Sequence, residues 1–188
     1  MESAKIDQYS EQLYQALRSA QVVDPLTARE PDISIEDAYQ IQLGIIRRRM
    51  ERDGDTIIGK KIGATSKAVQ SMLGVDQPDF GHLMSSMAYN DGDVVPIEGN
   101  LIQTRMEGEI AFILKRDLLG PGITNAAVLA ATECVMPCFE ICDSRIRDWK
   151  IRIQDTVADN ASAGLFLLGD QAVDPRRIDL KTCGMILE

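Results

Sequence analysis

The segment Arg105-Met106-Glu107-Gly108-Glu109-Ile110-Ala111-Phe112-Ile113-Leu114 restricts what this chain can become more than any other. Its β-branched and aromatic residues predict a strand within Gln103 to Leu114, and a period of two puts Glu107, Glu109, Ala111 and Ile113 on one face. The other face, Met106, Gly108, Ile110, Phe112 and Leu114, is wholly apolar. Ala111 and Ile113 carry the glutamate face inward, so both faces are expected to be at least partly buried. A strand of this kind needs a layer on each side.

Two like charges side by side on a partly desolvated surface repel, and such a pair persists with a proton, an arginine or a cation between them. Glu140 meets the same problem inside Pro137-Cys138-Phe139-Glu140-Ile141-Cys142, where a lone carboxylate costs several kcal/mol. Two readings stay open. In one, Glu107 and Glu109 line a solvated edge and Glu140 pairs with Arg145 or Arg147. In the other, the three carboxylates hold Mg²⁺ or Mn²⁺, hard cations that prefer oxygen donors and leave positions open for water or an oxygen-rich substrate. Cys138 and Cys142 share the Glu140 face, but buried thiols ordinarily behave as small hydrophobes rather than zinc ligands. Lys61 is either a strand-end lysine or, beside a metal, a group that holds a substrate carboxylate.

Other chemistries are constrained by composition. The chain has 188 residues, 45% hydrophobic and 26% charged, the profile of one globular domain or one domain with a small appendage. Lys plus Arg number 20 against 29 Asp plus Glu, and a net charge of -9 argues against nucleic acid as a partner. No apolar run approaches the roughly 18 residues that span a bilayer, and Met1-Glu2-Ser3-Ala4-Lys5 lacks the apolar core of a secretion signal, so a cytoplasmic protein without a membrane partner is expected. His82 is the sole histidine, which removes most histidine-based zinc sites; its expected role is structural. The four cysteines form no Cys-x-x-Cys pair and suit a reducing compartment.

Along the chain, Ile6, Tyr9, Leu13, Leu17 and Ala20 recur at helical spacing across Ser3 to Ala20. Ser34 and Asp37 resemble a capping box that opens a second helix running to about Arg52, where Arg47-Arg48-Arg49 reads as a solvated, dipole-stabilised end. Thr56 to Gly63 predicts a strand, Ser66 caps a short helix over Lys67 to Leu73, and Gly74 leads into a loop over Asp76 to Gly81. Asn90 to Asp93 predicts a turn, Val94 to Ile97 a strand, Thr124 to about Glu133 a helix ended by Pro137, and Cys138 to Cys142 and Gly164 to Leu168 apolar strands. Cys183 to Leu187 reads as a final strand with nothing to close it, so truncation at the C-terminus is expected. The fold class that results is α+β: an N-terminal helical region over 1–54 and a β domain over 55–188.

Several motifs in this order carry a resemblance: Gly59-Lys60-Lys61-Ile62-Gly63-Ala64-Thr65-Ser66, Gly74 to Gly81, Glu107-x-Glu109, Phe139-Glu140, Ser144 to Trp149, and Asp155 to Ser162. Together they resemble the hydratase/decarboxylase family of meta-cleavage pathways, within the fumarylacetoacetate hydrolase superfamily. The resemblance implies a mixed β-roll behind the helical region and Mg²⁺ or Mn²⁺ held by Glu107, Glu109 and Glu140. It implies further that Lys61 and Asp79 approach the substrate, Asp79 as general acid/base, and that Asn160 and Ser162 line the pocket. Gly108 stands where alanine is expected between the glutamates, and family members continue into further strands and a glycine-rich segment.

The family's activities are metal-dependent reactions of small 2-oxo acids. One branch decarboxylates 2-oxo-3-hexenedioate to 2-hydroxypenta-2,4-dienoate; the other hydrates that product. Ser66 to Val69, Leu114 to Gly122 and Phe139 to Asp143 look closer to the decarboxylase branch, so decarboxylation is the expected activity. The resemblance also implies a homo-oligomer and, for the decarboxylase branch, a complex with a companion hydratase, in which a non-catalytic partner role is a further alternative.

Overall fold

The structure, a computed structural model, describes residues 1–73 and 75–187. Gly74, expected to lead into the loop, and the final Glu188 lie outside the described residues.

Helix α1 (Ser3–Ser19) buries Tyr9, Leu13 and Tyr14 from its apolar stripe and stops where Ala20 turns left-handed, φ 50°. A four-residue turn, α2 (Leu26–Arg29), leads to α3 (Ile35–Arg52). The capping box forms as read: the Asp37 N–H donates to Ser34 Oγ at 3.0 Å and the Ser34 N–H donates to Asp37 Oδ2 at 3.2 Å. The two long helices cross closely at Gly44, where a Cβ would stand 2.2 Å from Ser10 Oγ, and Ser10 Oγ donates to the Ile41 carbonyl at 3.0 Å. No side chain fits at that crossing.

The arginine run departs from expectation. Arg48 and Arg49 are buried, and each is paired, Arg48 with Asp7 at 2.7 Å and Glu11 at 2.6 Å, Arg49 with Asp55 at 2.8 Å. Their place on the helix face toward α1 and toward the segment after α3 overrides the preference of a helix end for solvent.

Strand β1 (Ile57–Gly63) pairs antiparallel with β2 (Asp79–Met84), with α4 (Lys67–Leu73) between them. Asp79 to Gly81 therefore lie in a strand rather than in the expected loop, because pairing with Gly63, Ile62 and Lys61 extends a segment that Pro78 and Gly81 make look irregular. A second sheet contains β3 (Ala88–Asn90), β4 (Thr104–Leu114), β5 (Thr132–Asp143) and β6 (Ala163–Leu168) in the order β3-β6-β5-β4, with only β3 and β6 parallel. Helix α5 (Asn125–Ala131), capped by Thr124 Oγ1, ends at Ala131, and β5 passes straight through Pro137. Val94 to Ile97 and Cys183 to Leu187 are not strands; Val94 is 89% and Ile186 86% exposed, and among the described residues no strand pairs with them. Met106 and Phe112, 56% and 41% exposed, show the apolar face of the edge strand β4 less covered than expected.

The charge-rich stretch after β5 contains an unforeseen helix, α6 (Ile153–Ala158), which packs on α3. Its Val157 and Ala158 join Tyr9, Leu13, Leu26, Ile41, Ile45 and Ile146 in one apolar cluster, each large side chain contributing about 1.5–3 kcal/mol. Asp155, fully buried, accepts from the Thr27 N–H at 3.0 Å and from Thr27 Oγ1 at 2.7 Å. A second cluster, Ile46, Met84, Met87, Ile141, Ala163 and Leu165, joins α3 to the sheet. An α+β architecture of N-terminal helices with a mixed sheet, as expected, is what these layers make. Among the described residues no helix is long and apolar enough to cross a membrane.

Candidate active site

Register brings the two acidic segments together. In the β4–β5 ladder Glu107 stands opposite Glu140, Glu109 opposite Cys138 and Arg105 opposite Cys142, and residues directly opposite share a face. Donor atoms of Glu107, Glu140 and Cys142 all lie within 4.8 Å of one another. Glu109 is outside this group: it is one strand step further on, about 6.7 Å along the backbone. Glu107 and Glu109 are exposed along β4, unlike the partly buried face expected of them; partial desolvation still raises the Glu109 carboxyl, and Glu140 and Glu107 add to that rise.

Lys61 enters from β1. Along that strand Lys61 faces inward while Ile58 and Ile62 are 53% and 54% exposed, the reverse of ordinary apolar-in patterning. Its Nζ lies 3.1 Å from Glu140 Oε1 and donates to the Ala161 carbonyl at 2.8 Å. Burial opposes its charge, yet the Glu140 and Asp79 carboxylates outweigh burial and hold the ammonium above the usual lysine pKa. Glu140 is raised, mainly by burial, with Lys61 working against the rise and Glu107 adding to it. One ammonium is thus set among several carboxylates, too little positive charge to satisfy them.

Asp79, at the start of β2 and opposite Gly63, is 6% exposed. Thr156 Oγ1 donates to its Oδ2 at 3.2 Å and lies 3.3 Å from Ser162 Oγ. Among the described residues Asp79 Oδ1 has no hydrogen-bond partner; neither has Glu140 Oε1, which Lys61 approaches outside hydrogen-bond geometry. Two orphaned buried carboxylate oxygens in one place are costly unless something else binds there. Lys61, Asp79, Glu107, Cys142, Thr156, Ala161 and Ser162 line a cavity of about 220 Å³, together with Arg105, Trp149 and Arg152.

Asn160 differs from the pocket-lining role expected of it. Its Oδ1 accepts from the His82 N–H at 2.8 Å and its Nδ2 donates to the His82 carbonyl at 2.9 Å, the pattern of a strand neighbour. It anchors a turn in which Asn160, Ala161 and Ser162 all take left-handed φ, 56°, 53° and 52°. That turn aims the Ala161 carbonyl at Lys61. The His82 ring meets Gln42 Oε1 at 3.0 Å, the structural role expected of it. Neither arginine first considered for Glu140 reaches it: Arg145 pairs with Asp159 and Arg147 with Asp24.

The donor set fits an oxygen-seeking divalent cation. Glu107 and Glu140 face one another across a single step of the ladder, and Glu140 Oε1 is buried with no hydrogen bond. Cys142 adds little to such a site, because burial drives its thiol far above the ordinary range and keeps it neutral. Burial likewise pushes Cys138 up to about 11. A larger cavity of about 600 Å³, lined by Arg49, Asp55, Ser86 and Asp143 among others, shares no lining residue with the first. Its acids are already engaged, Asp55 by Arg49, Ser85 and Ser86, and Asp143 by the backbone N–H groups of Ile102 and Gln103.

The sequence reading gives no role to Thr156, Arg105 or Trp149, although Thr156 and Trp149 stand within motifs that carry the resemblance. Arg105 was open to it, since the period of two that aligned Glu107 with Glu109 places Arg105 on the same face. Thr156 lies on the helix that charge had hidden.

No family model matches the chain. It is 64% identical over 188 residues to 2-hydroxypent-2,4-dienoate hydratase of Pseudomonas putida, a match covering 100% of this chain and 84% of that protein. It is 58% identical over 181 residues to 2-hydroxyhexa-2,4-dienoate hydratase of Comamonas testosteroni, covering 96% of this chain and 68% of that protein. Among solved structures, 4-oxalocrotonate decarboxylase from Pseudomonas putida G7 complexed with magnesium and adipate superposes with a TM-score of 0.90 at 34% identity, covering 97% of this chain and 68% of that one. The same decarboxylase complexed with calcium and acetate gives 0.87. The higher identities lie with hydratases, so the expected preference for the decarboxylase branch is not supported. With relatives of this identity and coverage, the chain belongs to the hydratase/decarboxylase family of lyases within the fumarylacetoacetate hydrolase superfamily.

Proposed function

We propose that this chain hydrates 2-hydroxypenta-2,4-dienoate to 4-hydroxy-2-oxopentanoate with a divalent cation, Mg²⁺ or Mn²⁺. The observation that carries the chemistry is the Asp79 Oδ1, without a hydrogen-bond partner among the described residues, in the same cavity as Lys61 and Glu107, with Glu140 3.1 Å from Lys61 Nζ. Identity of 64% to a hydratase over the whole chain favours hydration over decarboxylation.

In this reading Glu107 and Glu140 supply carboxylate donors and Glu109, one step along the strand, is the third candidate. The chemistry a divalent cation held there would supply is polarisation of the 2-oxo group. Ketonisation moves the 2-hydroxyl proton to C5. Water then adds, its oxygen bonding to C4 while Asp79 Oδ1 takes the released proton and returns it to C3. Lys61, held by Glu140 and the Ala161 carbonyl, offsets negative charge on the substrate oxygens. Thr156 holds the other Asp79 oxygen, which leaves Oδ1 the one available for proton transfer. Ser162, through Thr156, steadies the same carboxylate.

The structural match to a decarboxylase supports a second reading, loss of CO₂ from 2-oxo-3-hexenedioate at the same residues. Product analysis decides. Both acids are incubated with the protein in Mg²⁺ and in EDTA. Mg²⁺-dependent formation of 4-hydroxy-2-oxopentanoate from the dienoate is expected. CO₂ and dienoate formed from the diacid, with the dienoate left unchanged, would overturn hydration.

A further inference from the structure

We propose that Arg105 binds the carboxylate next to the keto group of the 2-oxo acid, and that Trp149 is the positioning residue that holds it ready. The hydratase reading supplies the acid's identity; the assignment of an anion-binding arginine stands on the cavity itself.

Arg105 precedes Glu107 by one strand step on the same face and stands opposite Cys142, so it borders the carboxylate pair. It lines the cavity that holds Lys61, Asp79 and Glu107. Its guanidinium carbon lies 4.2 Å from the centroid of the Trp149 ring, a stacked cation–π contact. Stacking fixes the plane of the guanidinium and leaves its edge N–H groups for a ligand.

The stack is itself supported. The Trp149 indole N–H donates to the Gln103 carbonyl at 2.9 Å and the Asp148 N–H donates to Gln103 Oε1 at 2.8 Å. Gln103 Nε2 donates to the carbonyls of Ser144 and Ile146 at 2.8 and 2.9 Å. Asp148 and Trp149 have φ of 57° and 55°. Left-handed backbone at a bulky residue is costly and persists where its surroundings enforce it. Gln103, at the entry to β4, enforces it and places the indole under Arg105.

Arg105 has no countercharge. Among the described residues no carboxylate lies within ion-pair distance of it, and its side chain makes no hydrogen bond. Arg48, Arg49 and Arg145, which are buried, each hold a carboxylate, whereas Arg105 is exposed and lines the cavity. Of the other basic residues that line the cavity, Lys61 is already engaged by Glu140 and Ala161, and Arg152 lacks the aromatic stack that Arg105 has. A planar carboxylate with two oxygens matches the free edge of a stacked guanidinium. The keto oxygen of the same acid then falls toward the neighbouring Glu107–Glu140 pair.

Trp149 is the only tryptophan, so its emission reports directly on the stack. The 188-residue chain is titrated with 2-oxopentanoate, a saturated acid that hydration cannot consume, and with pentan-2-one, which lacks the carboxylate, in EDTA and in Mg²⁺. The acid is expected to change the emission saturably and the ketone to leave it unchanged. Arg105→Gln is expected to raise the Kd for the acid at least about tenfold, the loss of one charge-assisted contact, while Mg²⁺ affinity stays at the wild-type value. Arg105→Lys is expected to fall between the two. Far-UV circular dichroism checks folding.

An unchanged Kd in Arg105→Gln overturns the proposal. So does a loss confined to 2-oxohexanedioate with 2-oxopentanoate unaffected, which assigns the arginine to a distal carboxylate, or a loss in Arg152→Gln instead. Should Arg105→Gln fail to fold, equal wild-type affinity for acid and ketone overturns it. Binding is read without turnover, so a chain that fails to hydrate the dienoate leaves this outcome intact.

Discussion

Glu107 and Glu140 occupy directly opposed positions on two antiparallel strands, a pairing of like charges that the backbone ladder enforces. Cross-strand like charges destabilise a sheet unless a positive charge intervenes. Glu107→Gln and Glu140→Gln are each expected to weaken Mn²⁺ binding at least about tenfold by calorimetry. Glu109→Gln tests the third candidate donor separately. Wild-type affinity in both Glu107→Gln and Glu140→Gln would remove the cation from this site.

Lys61→Met retains the aliphatic stem and deletes the ammonium that meets Glu140 and Ala161. Dienoate turnover is expected to fall about 10²- to 10³-fold, the range seen when one preorganised charge-stabilising donor is removed. A folded variant that keeps wild-type kcat excludes Lys61 from the reaction.

Gly81→Ala places a Cβ 2.6 Å from the Asn160 carbonyl oxygen and 3.0 Å from Lys61 Cδ. The nearer atom is backbone in a turn with little room to shift, so strain of about 1–3 kcal/mol is expected. Urea melts measure the loss, and dienoate turnover should fall with it because Lys61 is displaced. Unchanged stability would mean the turn yields.

Asp55 sets an acid limit on stability away from the cavity of the carboxylate pair. Burial opposes its charge, but the hydroxyls of Ser85 and Ser86, the Ser86 N–H and Arg49 outweigh burial and hold it at about 2 against an ordinary 3.8. The folded state therefore binds this proton less readily than the unfolded state. Its stabilisation is complete above about pH 4 and disappears as pH falls toward about 2, a change on the order of 2 kcal/mol. Asp55→Asn should lower stability at pH 7 and flatten the decline between pH 4 and pH 2. A gap between wild type and variant that is as wide at pH 2 as at pH 7 contradicts this.

Local signals were legible in the sequence and pairings at a distance were not. The Ser34–Asp37 box and the α1 stripe need only their own neighbours, and both form as read. Lys61 was recognisable only by motif, since its inward direction depends on β1 pairing with β2. β2 itself looked like loop because Pro78 and Gly81 are ordinary loop residues. Helix α6 was hidden because Asp155 reads as surface charge until Thr27, 128 positions away, is seen to bind it. Glu107 and Glu140 were identified from their apolar surroundings, which are local. The step that separates Glu109 from them is a matter of register, as is the commitment of the Asn160 amide to His82.

The left-handed run of Asn160, Ala161 and Ser162 uses no glycine, although glycine adopts that backbone most easily. Its absence trades ease of formation for stiffness: a glycine there would relax the bend and widen the range of directions open to the Ala161 oxygen. The lysine is thus steered by a hook that is hard to bend, so its aim survives thermal jostling when the cavity fills and empties.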